Sequence, residues 1–564
     1  MSRAPRSLLA LLLLLVTALT YRSVGEAGYV WDDDDYVAEN ELLDDARGLR
    51  RIWLEPRASP QYYPLVFTSF WLEARLFGRG PAAAAGHHLV NVLLHGLSAV
   101  LVWLVLELLF AAPGLGRAPP LAGLARPAAF LTALCFALHP VHVESVAWIS
   151  ERKNVLSGLL ALGAVRAYLA FAPTDLPLRE RRWSRYTLAA LLMAAALLSK
   201  SITATVPAAL ALVLWWKGRL GRRDLLCLLP LFGLGVAAGL HTAYLEVTHV
   251  GARGGAFALE PAQRILLAGR APWFYLGQLL WPAQLSFYYP RWPLDPSSSA
   301  WTFPCATAGL LFALWSWRAR SRGPLAAILM FGGTLFPVLG FVDVYPFRFS
   351  YVADHFCYLA SLPVLALASY GALSVLRRRG AGPLALALTL GLVAGALSLR
   401  TQRRVRAFRD YETLLRDTLA QVPDCWIAHA NLAQLLAARS DPDQQAEAFQ
   451  RFLRAAELEP RDARNRLNAG VALLVRRRPA AALPHLEAAV RLQPEWPRPY
   501  AYLLRCQRAL GDPAAAAETA LRAWQLLPEQ RARLAPLLRE LRRALPPDAF
   551  ELRRALAALQ SRPD

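Results

Sequence analysis

The sequence predicts an all-α membrane protein in which a helical bundle is followed by an array of helical repeats. Of its 564 residues, 55% are hydrophobic and only 18% are charged, whereas soluble domains carry about a quarter charged residues. The hydrophobic residues form long runs within 1–399, and proline recurs at a fixed spacing near the C-terminus. The net charge of +21 would suggest nucleic-acid binding in a soluble protein. In a membrane protein, basic cytoplasmic loops explain it, so no nucleic-acid partner is expected.

The predicted transmembrane domain, 1–399, contains about twelve apolar segments. A helix needs ~20 apolar residues to cross the hydrocarbon layer. The first segment is interpreted as a retained signal anchor, since no small-residue cleavage site follows it. The segments are approximately 7–21, 87–110, 127–139, 154–173, 186–199, 201–216, 225–244, 265–281, 301–317, 325–341, 355–376 and 384–399.

Basic loops between these segments predict the orientation, because cytoplasmic loops are enriched in Arg and Lys. Five loops are assigned to the cytoplasm; they contain Arg117 and Arg126, Arg179–Arg185, Lys217–Arg223, Arg318–Arg322, and Arg377–Arg379. All five fit only if one segment does not cross the membrane. The best candidate is 265–281, bounded by Pro261, Pro272 and Pro282, because proline breaks a regular helix and such segments tend to be re-entrant or interfacial. Eleven crossings then remain, with the C-terminus outside. The basic cluster Arg400–Arg409 conflicts with this orientation and is outweighed by the five loops.

The C-terminal part, 400–564, repeats. Pro460, Pro494 and Pro528 are 34 residues apart, which is the period of the tetratricopeptide repeat, a pair of antiparallel helices. Repeats are predicted at about 426–460, 463–496 and 497–530, followed by a cap. Such an array predicts a binding surface and no chemistry of its own.

Unusual polar stretches all fall on the predicted extracytoplasmic side, which suggests one site there. The first outer loop, 22–86, contains four consecutive aspartates, including Asp32 and Asp33. One of these carboxylates could act as a general base, although a solvated acidic loop is the simpler interpretation. Carboxylate oxygens also suit Mg²⁺ or Mn²⁺, so a divalent cation is left open as a cofactor, and none is certain.

The remaining candidates carry cationic, imidazole or carboxyl groups. Lys200, between two apolar segments, either extends to the membrane interface or binds phosphate; Arg152, Lys153 and Arg348 are candidates for the same role. His139, His142 and Glu144 allow a metal site, although a turn at the membrane boundary is favoured since Pro140 interrupts the helix. Further candidates are Tyr351, Asp354 and His355. The six cysteines show no zinc spacing.

Several motifs in this order resemble a known family. They are Tyr29-Val30-Trp31-Asp32-Asp33, Tyr62-Tyr63-Pro64-Leu65, 88–95 (HLVNVLLH), 139–148 (HPVHVESVAW), Leu198-Ser199-Lys200 and 350–356 (SYVADHF). Together with the repeats, they resemble bacterial relatives of the transmembrane and tetratricopeptide repeat-containing O-mannosyltransferases. That family belongs to the GT-C superfamily, whose members use polyprenyl-phosphate-linked sugars.

The resemblance implies a many-span enzyme with its active site at the outer face. It implies Asp32 or Asp33 as the catalytic base, and repeats on the same side that could hold a protein acceptor. Two departures stand out. Ser201 replaces the Glu that usually follows the Ser-Lys pair, and Ala353-Asp354-His355 replaces a Glu-Arg motif, so sugar and acceptor do not carry over.

The predicted function is therefore a glycosyltransferase of the bacterial inner membrane. It would move a sugar, such as mannose, from a polyprenyl-phosphate donor to a hydroxyl of an exported protein on the extracytoplasmic face. Asp32 or Asp33 would take the proton, and Lys200, Arg152 and Arg348 would stabilise the leaving phosphate. The alternatives are a non-catalytic membrane scaffold that presents the repeats, and a lipid or polysaccharide transporter.

Overall fold

The chain divides into two compact units, Met1–Asp417 and Thr418–Asp564. The computed structural model describes residues 5–111, 123–172, 181–252, 254, 257–297, 299–547 and 549–560. These residues form α-helices and short 3-10 or π-helical turns, and no strand occurs among them. The all-helical class is thus confirmed. The division after Asp417 lies later than the sequence-derived boundary at 399/400. Arg117 and Arg179, used to orient two loops, lie outside the described residues.

Sixteen α-helices begin among the described residues of the first unit, and the last of them extends across the boundary. They are α1 (Arg6–Thr20), α2 (Ala46–Leu54), α3 (Pro64–Phe77), α4 (Ala84–Ala111), α5 (Ala125–Leu138), α6 (Val143–Ala147), α7 (Arg152–Phe171), α8 (Trp183–Leu197), α9 (Val206–Trp216), α10 (Arg222–Leu245), α11 (Pro261–Leu280), α12 (Thr302–Trp317), α13 (Gly323–Leu335), α14 (Ser361–Arg378), α15 (Pro383–Val405) and α16 (Tyr411–Gln421).

Four helical stretches of the described chain are long and apolar enough to cross a membrane: Pro81–Ala111, Ile149–Phe171, Arg222–Val250 and Leu384–Phe408. Shorter apolar stretches run over Arg6–Thr20, Ser201–Trp216 and Gly323–Val338. These apolar helices make the chain an integral membrane protein. The sequence-derived number of eleven crossings stays a prediction.

Helices α5 and α6 flank a bend at Pro140. The pair Ala125–Leu138 and Pro140–Ala147 passes the same test for a span, but its halves are bent by 49°. Proline lacks an N–H and cannot continue a regular helix, and a 3-10 turn, Pro140–His142, fills the break. The turn expected at this position is therefore present, and it is buried.

Residues 265–280 of the segment between Pro261 and Pro282 lie in one continuous helix, α11. Pro261 occupies the first turn, where a missing N–H is tolerated, and Pro272 lies inside the helix without ending it. The expectation that these prolines interrupt the helix is thus wrong. Whether α11 crosses the membrane or lies at its interface stays a prediction.

Short helices and turns shape the long loop between α1 and α3. Asp45 caps α2 by accepting a 2.7 Å hydrogen bond from the Gly48 N–H. A Cβ at Gly48 would lie 2.1 Å from the Leu42 carbonyl oxygen, so this close approach requires glycine. The buried rings of Tyr36 and Phe67 stack 5.1 Å apart and attach the loop to α3. Packed apolar side chains therefore hold the four consecutive aspartates of this loop in position.

The second unit consists of helix pairs. The helices that start in it are α17 (Trp426–Ala437), α18 (Pro442–Leu458), α19 (Ala463–Val475), α20 (Pro479–Leu492), α21 (Pro497–Ala509), α22 (Pro513–Leu526), α23 (Arg531–Ala544) and α24 (Phe550–Gln560). Gly470 of α19 lies against Leu486 of α20, where an added Cβ would be 2.6 Å from the leucine side chain. Small residues thus occur where the helices of a pair pack closely.

Candidate active site

Asp32 and Asp33 are adjacent but differ in their surroundings. Asp33 is fully buried, and its two carboxylate oxygens accept hydrogen bonds from the backbone N–H groups of Val30 at 2.9 Å and Ser150 at 2.8 Å. Asp32 is partly exposed and accepts a 2.5 Å hydrogen bond from the Ser150 hydroxyl. Asp33 therefore anchors the loop to the turn before α7, whereas the side chain of Asp32 stays partly exposed.

The residue before this pair has an unusual backbone conformation. Trp31 has a φ of +54°, a region that side-chain-bearing residues enter at a cost of roughly 1–3 kcal/mol. Its indole packs edge-on against the rings of Phe287, Tyr288 and Tyr411 at centroid distances of 6.2, 5.6 and 6.1 Å. These contacts offset the strain in the Trp31 backbone. They also fix the direction in which the Asp32 side chain extends from the backbone.

Both aspartates hold protons more tightly than an ordinary carboxyl group. Burial raises the pKa of Asp33 to about 8, and the neighbouring Asp32 charge adds to the shift, although the two N–H donors oppose it. Burial also raises the pKa of Asp32, and the positive charge of Lys153 opposes that shift. A carboxyl group with a raised pKa is suited to accept a proton near neutral pH.

The ammonium groups of two lysines form ion pairs with one buried carboxylate, that of Glu151. The Lys153 ammonium is 3.0 Å from one Glu151 oxygen, and the Lys200 ammonium is 3.1 Å from the other. Glu151 is 1% exposed, while Lys200 keeps 12% of its side chain exposed. Lys153 also lies 5.1 Å from the centre of the Tyr36 ring. Two residues predicted to bind phosphate, Lys153 and Lys200, thus contact the same carboxylate group.

His355 extends this group of charges. Its Nδ1 lies 2.7 Å from a Glu144 oxygen, and its Nε2 is 3.9 Å from Glu151. The adjacent Asp354 accepts a 2.8 Å hydrogen bond from the Tyr289 hydroxyl, and burial together with the Glu144 charge raises the pKa of Asp354. Glu144, Asp354 and His355 were all singled out in the sequence, and the structure brings them together.

Arg152 occupies a different buried cluster. Its guanidinium is paired with Glu73, with one nitrogen–oxygen distance of 3.0 Å, and it donates to the His87 carbonyl at 2.9 Å and to the Ser69 hydroxyl at 3.1 Å. A further nitrogen bonds to the Asn91 side-chain oxygen. The placement of Arg152 among the phosphate ligands is therefore withdrawn, because its donors are engaged in holding α3, α4 and α7 together.

His139 and His142 are also structural. The Nε2 atom of His139 bonds to the Leu279 carbonyl at 3.0 Å, and its Nδ1 accepts from the Val141 N–H. His142 bonds to the Phe136 carbonyl at 2.8 Å and to the Ser361 hydroxyl at 3.0 Å. With both ring nitrogens of each engaged, neither histidine is placed to bind a metal.

The last two candidates flank the group. Tyr351 is buried, and its hydroxyl accepts a 2.8 Å hydrogen bond from Arg291. Arg348 is partly exposed, with its guanidinium 5.8 Å from the centre of the Phe349 ring. Phe349 in turn contacts Trp31 at 6.4 Å, which places Arg348 near the aspartate pair.

Among the described residues, no group of three or more His, Cys, Asp or Glu side chains is arranged to hold a metal ion.

Glu151 and Glu246 are residues that the sequence did not single out. Glu246, near the end of the apolar stretch Arg222–Val250, is buried and accepts hydrogen bonds from Gln61 at 3.3 Å and the Tyr345 N–H at 3.1 Å. Glu151 begins the charged triplet Glu151-Arg152-Lys153, directly before the apolar segment 154–173. A carboxylate at such a position is costly in a membrane, and that signal could have identified it.

Comparisons with known proteins agree with the resemblance seen in the motifs. No protein-family model matches the chain. It is 30% identical over 162 residues to the mouse (Mus musculus) protein O-mannosyl-transferase TMTC4, an alignment that covers 27% of this chain and 22% of that protein. With Tmtc3 of Drosophila melanogaster it shares 32% over 181 residues, covering 29% and 19%. With mouse TMTC1 it shares 41% over 108 residues, covering 19% and 10%.

Among solved structures, the apo form of ArnT from Cupriavidus metallidurans aligns with 90% of this chain and 79% of its own. The TM-score is 0.32 and the identity 15%, values too low to support an argument about fold or function. The alignments span about a fifth of the length of the first two curated relatives. Over that extent, the chain is similar in sequence to the TMTC protein O-mannosyl-transferases.

Proposed function

We propose that this protein is a membrane glycosyltransferase of GT-C type. It would transfer a sugar, such as mannose, from a polyprenyl-phosphate donor to a hydroxyl of an exported protein. The observation that carries the proposal is a partly exposed carboxylate, Asp32, bonded to the hydroxyl of Ser150, next in the chain to the Glu151 carboxylate that holds Lys153 and Lys200. The names of its relatives, which are protein O-mannosyl-transferases, support the same chemistry.

The proposed step is a single displacement. The acceptor hydroxyl oxygen attacks the anomeric carbon while Asp32 takes the hydroxyl proton. The bond between the anomeric carbon and the phosphate oxygen breaks, and its electron pair stays on the phosphate. Lys153 and Lys200 stabilise the negative charge that develops there, as fixed cations do in transition states. Asp33 positions Asp32 and does not touch the substrate.

Arg348 is a third proposed cation for the donor, since it lies close to Trp31 and is partly exposed. A Mg²⁺ or Mn²⁺ ion is a possible addition, because Asp32 is an accessible oxygen ligand. Chelation with EDTA tests this: loss of transfer that Mg²⁺ restores would place a cation in the reaction. Unchanged transfer in the presence of EDTA would mean that the side chains alone stabilise the negative charge on the departing phosphate.

We propose that the active site and the C-terminal unit lie on the extracytoplasmic side. The five basic loops support this orientation, and the conflicting cluster after α15 is partly neutralised. Arg404 is 9% exposed and paired with Asp417, and Arg409 is paired with Asp410 at 3.0 Å. Labelling of single cysteines at 35 and 320, in a cysteine-free background, should reach these positions from opposite sides of the membrane.

The C-terminal helix pairs are proposed to be tetratricopeptide repeats that hold the protein acceptor. Consecutive pairs begin at Ala463, Pro497 and Arg531, which are 34 residues apart as the repeat requires. The exported acceptor would bind to the array while its Ser or Thr hydroxyl reaches Asp32. A chain ending at residue 421 should then keep transfer to short peptides and lose it to folded protein acceptors.

Two measurements test the proposed function. Purified protein, supplied with polyprenyl-phosphate mannose and a Ser/Thr peptide, should release peptide carrying one hexose. Mass spectrometry of exported proteins from a deletion strain should show loss of a defined hexose mass. If no glycan changes in that strain and no sugar donor supports transfer, the non-catalytic scaffold becomes the better description.

A further inference from the structure

A cavity lies within the helical bundle, away from Asp32. Its volume is about 790 Å³, and it is enclosed by parts of α4, α7, α9, α13 and α14. Apolar side chains line most of it, including Val105, Leu106, Leu162, Ala327 and Met330. Small-molecule pockets typically measure ~300–1,000 Å³. Protein interiors are otherwise close-packed, with few voids larger than a water molecule. A cavity of this size is therefore suited to an apolar occupant.

The mouth of this cavity is strongly basic. Five cationic side chains belong to its lining, and no Asp or Glu does among the described residues; the five are Lys217, Arg318, Arg320, Arg322 and Arg378. Arg318 and Arg322 donate to the carbonyls of Trp315 and Trp215 at 2.7 and 2.9 Å. Five like charges in the lining of one cavity repel one another, and an anion between them would relieve that repulsion.

The cavity and the candidate active site lie near opposite ends of the same helices. In α4, His88 contacts the outer loop through the Gly28 carbonyl, whereas Phe110 lines the cavity. A rise of 1.5 Å per residue separates those two positions by roughly 33 Å along the helix. By the same measure, Lys153 and the cavity residue Val165 in α7 are roughly 18 Å apart. The basic mouth therefore belongs to the end that we assign to the cytoplasm.

We propose that this cavity binds one anionic phospholipid of the bilayer, with its acyl chain between the helices and its phosphate on the basic mouth. Basic pockets between transmembrane helices on the cytoplasmic side are known to take such head groups. Arginine fits phosphate oxygens in pairs, and the apolar interior excludes a free anion as the sole occupant. The lipid would fill the space between α9, α13 and α14 and stabilise their packing, whether or not the protein transfers sugar.

The test uses the purified full-length protein in detergent. Phosphatidylglycerol and phosphatidylcholine with the same acyl chains are titrated separately, and retained lipid is measured by native mass spectrometry alongside the thermal midpoint. Phosphatidylglycerol should bind as a single adduct and raise the midpoint, and phosphatidylcholine should do neither. The variant R320Q/R378Q should bind phosphatidylglycerol about 30-fold more weakly, as expected for two head-group contacts.

Two comparisons make the result specific. The variant R377Q/R379Q removes the same charge from the same end of α14, but neither side chain lines the cavity, so it should bind like the wild type. Met330→Trp fills the apolar part without changing the charge and should reduce binding. If Met330→Trp fails to fold, the two double variants still decide the question.

Three outcomes would overturn the proposal. Equal binding of both phospholipids would show a non-specific lipid layer. Equal loss in R320Q/R378Q and R377Q/R379Q would show a diffuse surface charge effect. A midpoint increase by inorganic phosphate or by a polyprenyl phosphate that matches or exceeds that of phosphatidylglycerol would assign the cavity to a different anion.

Discussion

Lys153 and Lys200 come from different helical segments, yet their ammonium groups lie on the two oxygens of one carboxylate, Glu151, at 3.0 and 3.1 Å. Lys153 is in the first turn of α7, and Lys200 is in the break between α8 and the turn Ser201–Thr205. A buried carboxylate that holds two cations keeps them at a fixed separation. This arrangement leads to the first of four predictions.

Lys153→Met and Lys200→Met should each raise the KM for the lipid-linked donor by roughly 10–100-fold, since a charge-assisted hydrogen bond contributes ~1.5–3 kcal/mol. Donor titrations at saturating peptide measure this. Arg403→Met is the control, because Arg403 is an exposed cation elsewhere in the chain. An unchanged donor KM in both lysine variants would remove the lysines from the donor site.

Asp32→Asn should lower kcat by roughly 10²–10⁴-fold, the usual contribution of a general base, with little change in thermal midpoint. Asp35→Asn changes an exposed carboxylate of the same run and should leave transfer unaffected. Peptide glycosylation at saturating substrates is the measurement. Equal activity of Asp32→Asn and the wild type would assign the base to another residue.

Asp33 should make folding stability depend on pH. Its pKa is about 8 in the folded chain and near 3.8 as an ordinary carboxyl group. Between these values the folded state binds more protons than the unfolded state, so stability falls as pH rises from about 4 to 8. The asparagine side chain in the Asp33→Asn variant cannot ionise. The backbone N–H groups of Val30 and Ser150 would then face an amide group, which accepts hydrogen bonds less well.

The variant should therefore be less stable than the wild type at pH 5, and the difference in thermal midpoint should narrow towards pH 8.5. Thermal denaturation in detergent across this range measures the effect. A difference that stays constant over this range would mean that Asp33 is ionised in the folded protein throughout.

Arg152→Met should destabilise the fold without a specific effect on the donor KM. Removing one partner of a buried pair leaves the other charge unpaired, at a cost of about 3–5 kcal/mol, and Glu73 is 5% exposed. Arg51→Met breaks the exposed pair Arg51–Glu55 and should cost less than about 1 kcal/mol. Similar thermal midpoints for both variants would contradict the structural role of Arg152.

Much of the helical architecture follows from local sequence. Apolar runs of helical length and the regular spacing of proline predict most helices of both units. The prolines of 261–282 were misleading, because Pro261 starts α11 and Pro282 follows it, and Pro272 alone did not end the helix. Local sequence does not show whether neighbouring segments supply hydrogen bonds to the backbone groups that a proline inside a helix leaves without a partner.

The candidate site was predicted in part. Asp32, Glu144, Lys153, Lys200 and His355 stood out because charged groups are rare at membrane depth. Arg152 and Lys153 look equivalent in the sequence, but consecutive residues of a helix point about 100° apart. One therefore faces Glu73 and the other Glu151. Only the packing of α3 and α8 against α7 decides between them.

The conformation of Trp31 has a mechanical consequence. Its ring packs against residues from three other parts of the chain, represented by Phe287, Phe349 and Tyr411. Any of these segments that shifts when it contacts a substrate would rotate the indole, and the neighbouring Asp32 would move with it. The carboxylate is thus linked to distant loops through aromatic packing, which would let remote contacts adjust its alignment.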